Sequence, residues 1–274
     1  MALEQKRIII WCDGSANQKA LAAKIAKRFF VAGIIIDEKQ SLSKKRTIKS
    51  LPLLVWDRLR FFSVYSAWKR MQQWYQEQFR DWPEVPILRV PSINSSEAED
   101  FTRRLSPQLV VVSGTQLIKQ PMLNIPVEIG MINLHTGLSP YVKGGPNCTN
   151  WCIANNEWHL IGNTIMWINA GIDSGNIITT ETIDIRKADN LFEAHKLVME
   201  HAHNLYIRAI NYLVTHHSPY QSIQQNSLGK GRLFLTKMWT AEKRKFLLEN
   251  WKRRNKDEFL QLPACVALPE EYKI

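Results

Sequence analysis

Three things are scarce in this sequence, and each scarcity excludes something. No apolar run approaches the ~20 residues that cross a bilayer, and residues 1–15 lack the apolar core of a secretion signal, so a cytoplasmic protein without a membrane span is expected. Cysteine is sparse, with Cys12, Cys148, Cys152 and Cys265 the only four in 274 residues. That is too few for a disulfide framework in a chain of this size. Cys148 and Cys152 stand close together, but a zinc site would need two more ligands, and His159 is the only local candidate. Metal is therefore not expected. Acidic residues are short as well: 25 Asp and Glu face 36 Lys and Arg, for a net charge of +11. Such an excess favours anionic partners such as phosphorylated small molecules, a glutamate tail or nucleic acid, without choosing among them. Internal repeats, low-complexity tracts and a glycine-rich dinucleotide fingerprint are also missing.

The rest is ordinary globular material, 45% hydrophobic and 22% charged, long enough for one large or two unequal domains. The order of elements is informative. Residues 7–12 form an apolar run that reads as a buried strand, followed by a turn at 13–17, a helix over 18–30 and a second strand over 32–37. Strand, short polar loop, helix and strand open a doubly wound α/β sheet. Residues 51–79 carry Trp56, Leu59, Phe62, Tyr65, Trp68, Met71, Trp74, Tyr75 and Phe79 at three- and four-residue spacing, which predicts one long amphipathic helix. Its aromatic stripe is expected to be core or dimer surface, so a homodimer is an open partner. The basic stretches at 39–70 and 243–256 leave nucleic acid open too. A strand at 86–90, a helix at 95–105, a central strand at 108–114 and a long helix at 190–214 follow the same rules. After Pro219 the pattern turns polar, then gives a strand at 232–235 and a helix at 240–251.

The chemistry concentrates between residues 131 and 178. Asn133 and His135 are two apart on a predicted strand, so their side chains share one face, and the chain then turns at Gly137, Ser139 and Pro140. Asp173 lies in a later turn, Asp173-Ser174-Gly175. An amide, an imidazole and a carboxylate suit acyl transfer to an amine, where the amide stabilises an oxyanion, the imidazole moves a proton and the acid orients it. The same residues also describe a capped strand end with a satisfied histidine and an aspartate in a turn.

This block resembles the signature of the folate-dependent formyltransferases, a family covering glycinamide-ribonucleotide, methionyl-tRNA and nucleotide-sugar enzymes. Its Asn-x-His-x-x-x-x-Pro motif stands here as Asn133, His135 and Pro140, and its Asp-x-Gly as Asp173 and Gly175. The resemblance implies a Rossmann-like α/β core with a mostly parallel twisted sheet over residues 1–215, and a small α+β extension over 216–274. It implies N10-formyltetrahydrofolate as formyl donor and Asn133, His135 and Asp173 as catalytic residues, with His135 accepting or relaying the amine's proton. Gly114, Thr115, Gln116, Leu117 and Ile118, with Gly171 and Ile172, would hold the pterin. Gln108 stands where the family's loop strand usually opens on Asp, and Met166 where some ribonucleotide enzymes carry a second His. Gly14, Ser15 and Asn17 would lie near the amine substrate. The Pro146-Asn147 to Trp151 segment is similar to the sugar branch, which makes Lys143, Asn147 and Trp151 substrate candidates. The short tail points the same way, so a nucleotide-linked amino sugar is the expected acceptor. A tRNA-directed relative and a formyltetrahydrofolate hydrolase are the alternatives.

Overall fold

Long apolar runs with no alternation are the mark of strands buried on both faces, and they build the centre of this protein. The computed structural model describes residues 5–38, 51–145, 147–254 and 262–272, and of residues 51–54 the backbone alone. The basic stretch 39–49, Pro146 and the end of the 243–256 stretch lie outside the described residues.

Strand β1 (Ile8–Asp13) leads through α1 (Ala16–Ala26) to β2 (Val31–Asp37), and after α2 (Leu51–Arg60) and α3 (Phe62–Gln78) the chain returns as β3 (Ile87–Val90). Helix α4 (Ser96–Leu105) precedes β4 (Leu109–Ser113), β5 (Gly130–His135), the short β6 (Val142–Gly144) and α5 (Cys148–Ala154). Then come β7 (Gly162–Trp167), β8 (Ile177–Thr182), α6 (Leu191–Thr215), β9 (Arg232–Phe234) and α7 (Ala241–Arg253).

Seven strands form one sheet in the order β3-β2-β1-β4-β5-β7-β8, and β6 with β9 forms a second, two-stranded one. The first five strands are parallel, while β7 runs antiparallel to β5 and β8 antiparallel to β7. The order reverses between β1 and β4, and open α/β sheets bind ligands at the carboxyl ends of the strands at such a switch point. Caps fix the helix starts: the side chains of Ser95, Asn190 and Thr240 accept from the backbone N–H groups of Ala98, Glu193 and Lys243. Tyr206 of α6 reaches between β4 and β5, where its hydroxyl takes the Val112 N–H at 2.8 Å and lies 2.9 Å from the Ile132 carbonyl.

One expectation changes in the folded chain. The helix expected over 51–79 is two, broken at Phe61, whose ring is buried beneath the Arg60 and Arg244 guanidiniums. Its buried face is Phe61, Val64, Ala67, Met71 and Tyr75, while most of the expected stripe faces outward. The expected extension after residue 215 packs against the core. Strand β9 pairs with β6, Leu247 and Trp251 of α7 share a core cluster with Trp151 of α5, and the Val266 N–H donates to the Thr180 hydroxyl at 2.8 Å.

Candidate active site

Strand ends set the site. Asn133 and His135 lie near the carboxyl end of β5, two residues apart as the strand period requires, and both line a cavity of about 730 Å³. Asp173 comes to the same cavity from the loop between β7 and β8, and its Oδ2 is 3.3 Å from His135 Nδ1. That oxygen also accepts the Gly144 N–H at 2.9 Å. On the other side of the ring, His135 Nε2 donates to the Val142 carbonyl at 3.0 Å and has Cys148 Sγ at 3.7 Å. Both ring nitrogens thus face acceptors, which is the arrangement of an imidazolium.

The charge balance agrees. Burial opposes a positive ring, but the Asp173 carboxylate, with Cys148 and the Val142 carbonyl adding to it, raises the His135 pKa to about 10. Geometry and charge balance both favour the protonated ring beside Asp173.

Local geometry holds the pair in place. Asp173 adopts a left-handed φ of 45°, a strained setting for a residue other than glycine. Gln225 secures it by donating to the Asp173 and Gly175 carbonyls at 2.8 Å each. A Cβ at Gly175 would fall on the Trp167 carbonyl, and one at Gly137 on His135 Nε2, so both positions need glycine to let backbone and ring approach.

Among the expected donor contacts, Gly114, Thr115, Gln116, Leu117, Ile118, Gly171 and Ile172 all line the cavity. The Gln116 side chain is committed to Asp37, to which it donates at 3.0 Å while its backbone N–H donates at 2.7 Å, so it shapes its own loop. Of the expected acceptor contacts, Ser15, Asn17 and Asn147 line the cavity. The Asn17 amide is tied into the fold by Gln72, which donates to its Oδ1 at 2.6 Å.

Gly14, Lys143 and Trp151 are corrections. Gly14 sits exposed at the turn outside the cavity lining. The Lys143 side chain lies toward Gly231 beside β9 and does not reach the lining. Trp151 is fully buried, stacked on Phe234 at 4.6 Å and edge-on to Trp239 at 4.8 Å, because α5 is enclosed by β9 and α7. Several wall residues were not among the expected contacts, Trp68 from α3 and Phe234, Leu235 and Thr236 from the C-terminal part among them. Cys148 lies against His135, a placement that depends on the turn at Gly137.

The sequence model of the formyl transferase family matches residues 67–210, just over half the chain. The protein belongs to that family. A methionyl-tRNA formyltransferase from Clostridium tetani is 35% identical over 132 residues, which cover 47% of this chain and 42% of that protein. The chain thus spans less than half the length of that formyl transferase. Among solved structures, glycinamide ribonucleotide transformylase 1 from Symbiobacterium toebii superposes with a TM-score of 0.55 at 16% identity, covering 82% of this chain and 99% of that one. A 4-N formyltransferase from Francisella tularensis does so with 0.55 at 18%, covering 89% and 87%. These likenesses fix the formyl transferase fold of the seven-stranded sheet.

Proposed function

We propose that this protein transfers a formyl group from N10-formyltetrahydrofolate to a primary amine, and that the amine belongs to a nucleotide-linked amino sugar. The observation that carries the reading is the His135–Asp173 pair beside Asn133 in one cavity at the strand ends. The cavity suits the donor: the backbone of 114–118 and the 171–172 turn offer polar groups to a flat ring, and Ile118, Met166 and Ile168 offer apolar ones. The donor supplies an activated formyl carbon.

Asn133 donates its amide N–H to the oxygen that gathers charge as the amine attacks. His135 supplies fixed positive charge next to that oxygen; its own hydrogens stay with Asp173 and Val142. Asp173 takes the proton leaving the amine and passes it toward the departing folate nitrogen. Oδ2 holds His135 and Gly144, which leaves Oδ1 for this transfer. In this reading the acceptor lies against Asn17, Trp68, Asn147 and residues 234–236, which line the same cavity.

A second reading, a tRNA-directed enzyme, is favoured by the methionyl-tRNA formyltransferases among its relatives. One experiment separates the two: the protein is incubated with N10-formyltetrahydrofolate and either a panel of nucleotide-linked amino sugars or charged methionyl-tRNA, and products are read by mass. A formylated sugar is expected. Formylation of the tRNA alone would replace the acceptor, and formate released without any acceptor would replace the reaction with hydrolysis.

A further inference from the structure

Side chains three residues apart, at 56, 59, 62, 65 and 68, are turned outward along α2 and α3. Trp56, Leu59 and Phe62 are 67%, 66% and 68% exposed, Tyr65 and Trp68 are 41% and 40%, and Val55 beside them is 51%. Isolated exposed hydrophobics are common, but a connected run of this size marks an interaction surface. The helices beneath it are anchored. Phe61 and Val64 are core, and Asp57 binds the Tyr65 hydroxyl at 2.5 Å and Arg244 at 2.8 Å.

The charges around the run select its occupant. Residues 55–70 carry four cations, Arg58, Arg60, Lys69 and Arg70, all exposed, and one carboxylate, Asp57, which is already engaged. A second copy docked about a two-fold axis would set this basic face against itself. Nucleic acid would take up the arginines but gains little from aliphatic Val55 and Leu59. An anionic lipid surface satisfies both parts, with tryptophan and phenylalanine at headgroup depth and arginine against phosphate.

We propose that α2 and the first half of α3 dock this protein on an anionic phospholipid bilayer. Docking is peripheral, since among the described residues no helix is long and apolar enough to cross a membrane. The exposed run ends at Trp68, which also lines the catalytic cavity, so the docked protein holds that cavity next to the lipid surface. The inference is independent of the formyl-transfer reading, because binding is measured without donor or acceptor.

The test is co-sedimentation of the full chain with vesicles of phosphatidylcholine, pure or containing phosphatidylglycerol. Binding is expected on the mixed vesicles only, weakened by salt. Trp56→Ser with Phe62→Ser should lower the partition by roughly tenfold or more. Arg58→Gln with Lys69→Gln should lower it about fivefold per charge removed. These side chains are exposed, so circular dichroism and Tm should be unchanged. No binding to the mixed vesicles, or binding that neither variant pair weakens, would overturn the proposal. So would a wild-type dimer that Trp56→Ser with Phe62→Ser turns into monomer, or vesicle-free tRNA binding that the same pair abolishes.

Discussion

Two opposing effects act on the charge of His135, and their balance can be measured. Burial favours the neutral ring, whereas Asp173 at 3.3 Å favours the imidazolium and prevails. With Asp173→Asn, burial is left without its counterion, and the His135 pKa should fall from about 10 to below the ordinary histidine range; NMR titration of the ring carbons reads this directly. The linkage has a definite sign. Because the folded pKa exceeds the unfolded one, the pair stabilises the fold fully below the ordinary histidine value of ~6.5, and that stability is lost as pH rises toward about 10. Tm of the wild type should therefore decline across this window more than Tm of Asp173→Asn, and a flat profile would remove the ion pair. In the proposed reaction Asn133 has a separate duty, donation to a developing oxyanion. Asn133→Ala should lower kcat on the order of 10²–10³-fold with little change in acceptor KM.

At the scale of elements, the junction of α6 with the sheet is the part most open to a single change. Tyr206 is buried, and its hydroxyl serves the Val112 and Ile132 backbone in two adjacent strands. Tyr206→Phe leaves a buried N–H without its acceptor, at a cost of about 1–3 kcal/mol. Tm should drop by roughly 2–4 °C for each kcal/mol, and activity should suffer beyond that because Asn133 follows Ile132 directly. Thermal unfolding of both proteins decides it. The strands beside this junction were legible in sequence because β1, β2 and β4 are unbroken apolar runs, and so was the fixed spacing of Asn133 and His135. Other elements carried no such mark. The three-residue strand β6 is too short to show a period, and it forms by pairing with β9, which was legible as the strand at 232–235. In α2 and α3 the period was visible but its direction was not: aromatic residues recur on two faces, and the smaller side chains of Val64 and Ala67 face inward. Trp151 looked like a substrate contact until α7, almost a hundred residues further on, was seen to cover it.

For the molecule as a whole, the question is whether residues 216–274 form a unit that can be removed. They contribute Phe234, Leu247, Trp251, Val266 and Leu268 to the buried core, and Gln225 to the loop that bears Asp173. Each such apolar side chain is worth about 1.5–3 kcal/mol when buried, so the five together rival the ~5–15 kcal/mol that holds a typical domain folded. We propose that the boundary at residue 215 separates two regions of sequence within one folding unit. Calorimetry of the full chain should show one cooperative transition. A chain ended at Thr215 uncovers Trp151 and Cys152, releases β6 from its partner strand and frees the Asp173 turn. It should bind a hydrophobic dye, lose its sharp transition and have no formyl-transfer activity. Milder disruption gives a graded check: Leu247→Ala, buried with no exposure at all, should cost about 2–5 kcal/mol while leaving Asn133, His135 and Asp173 in place. A truncated chain that melts sharply at the full-length Tm would instead make residues 216–274 an appendage, and the walls at Phe234, Leu235 and Thr236 dispensable to the fold.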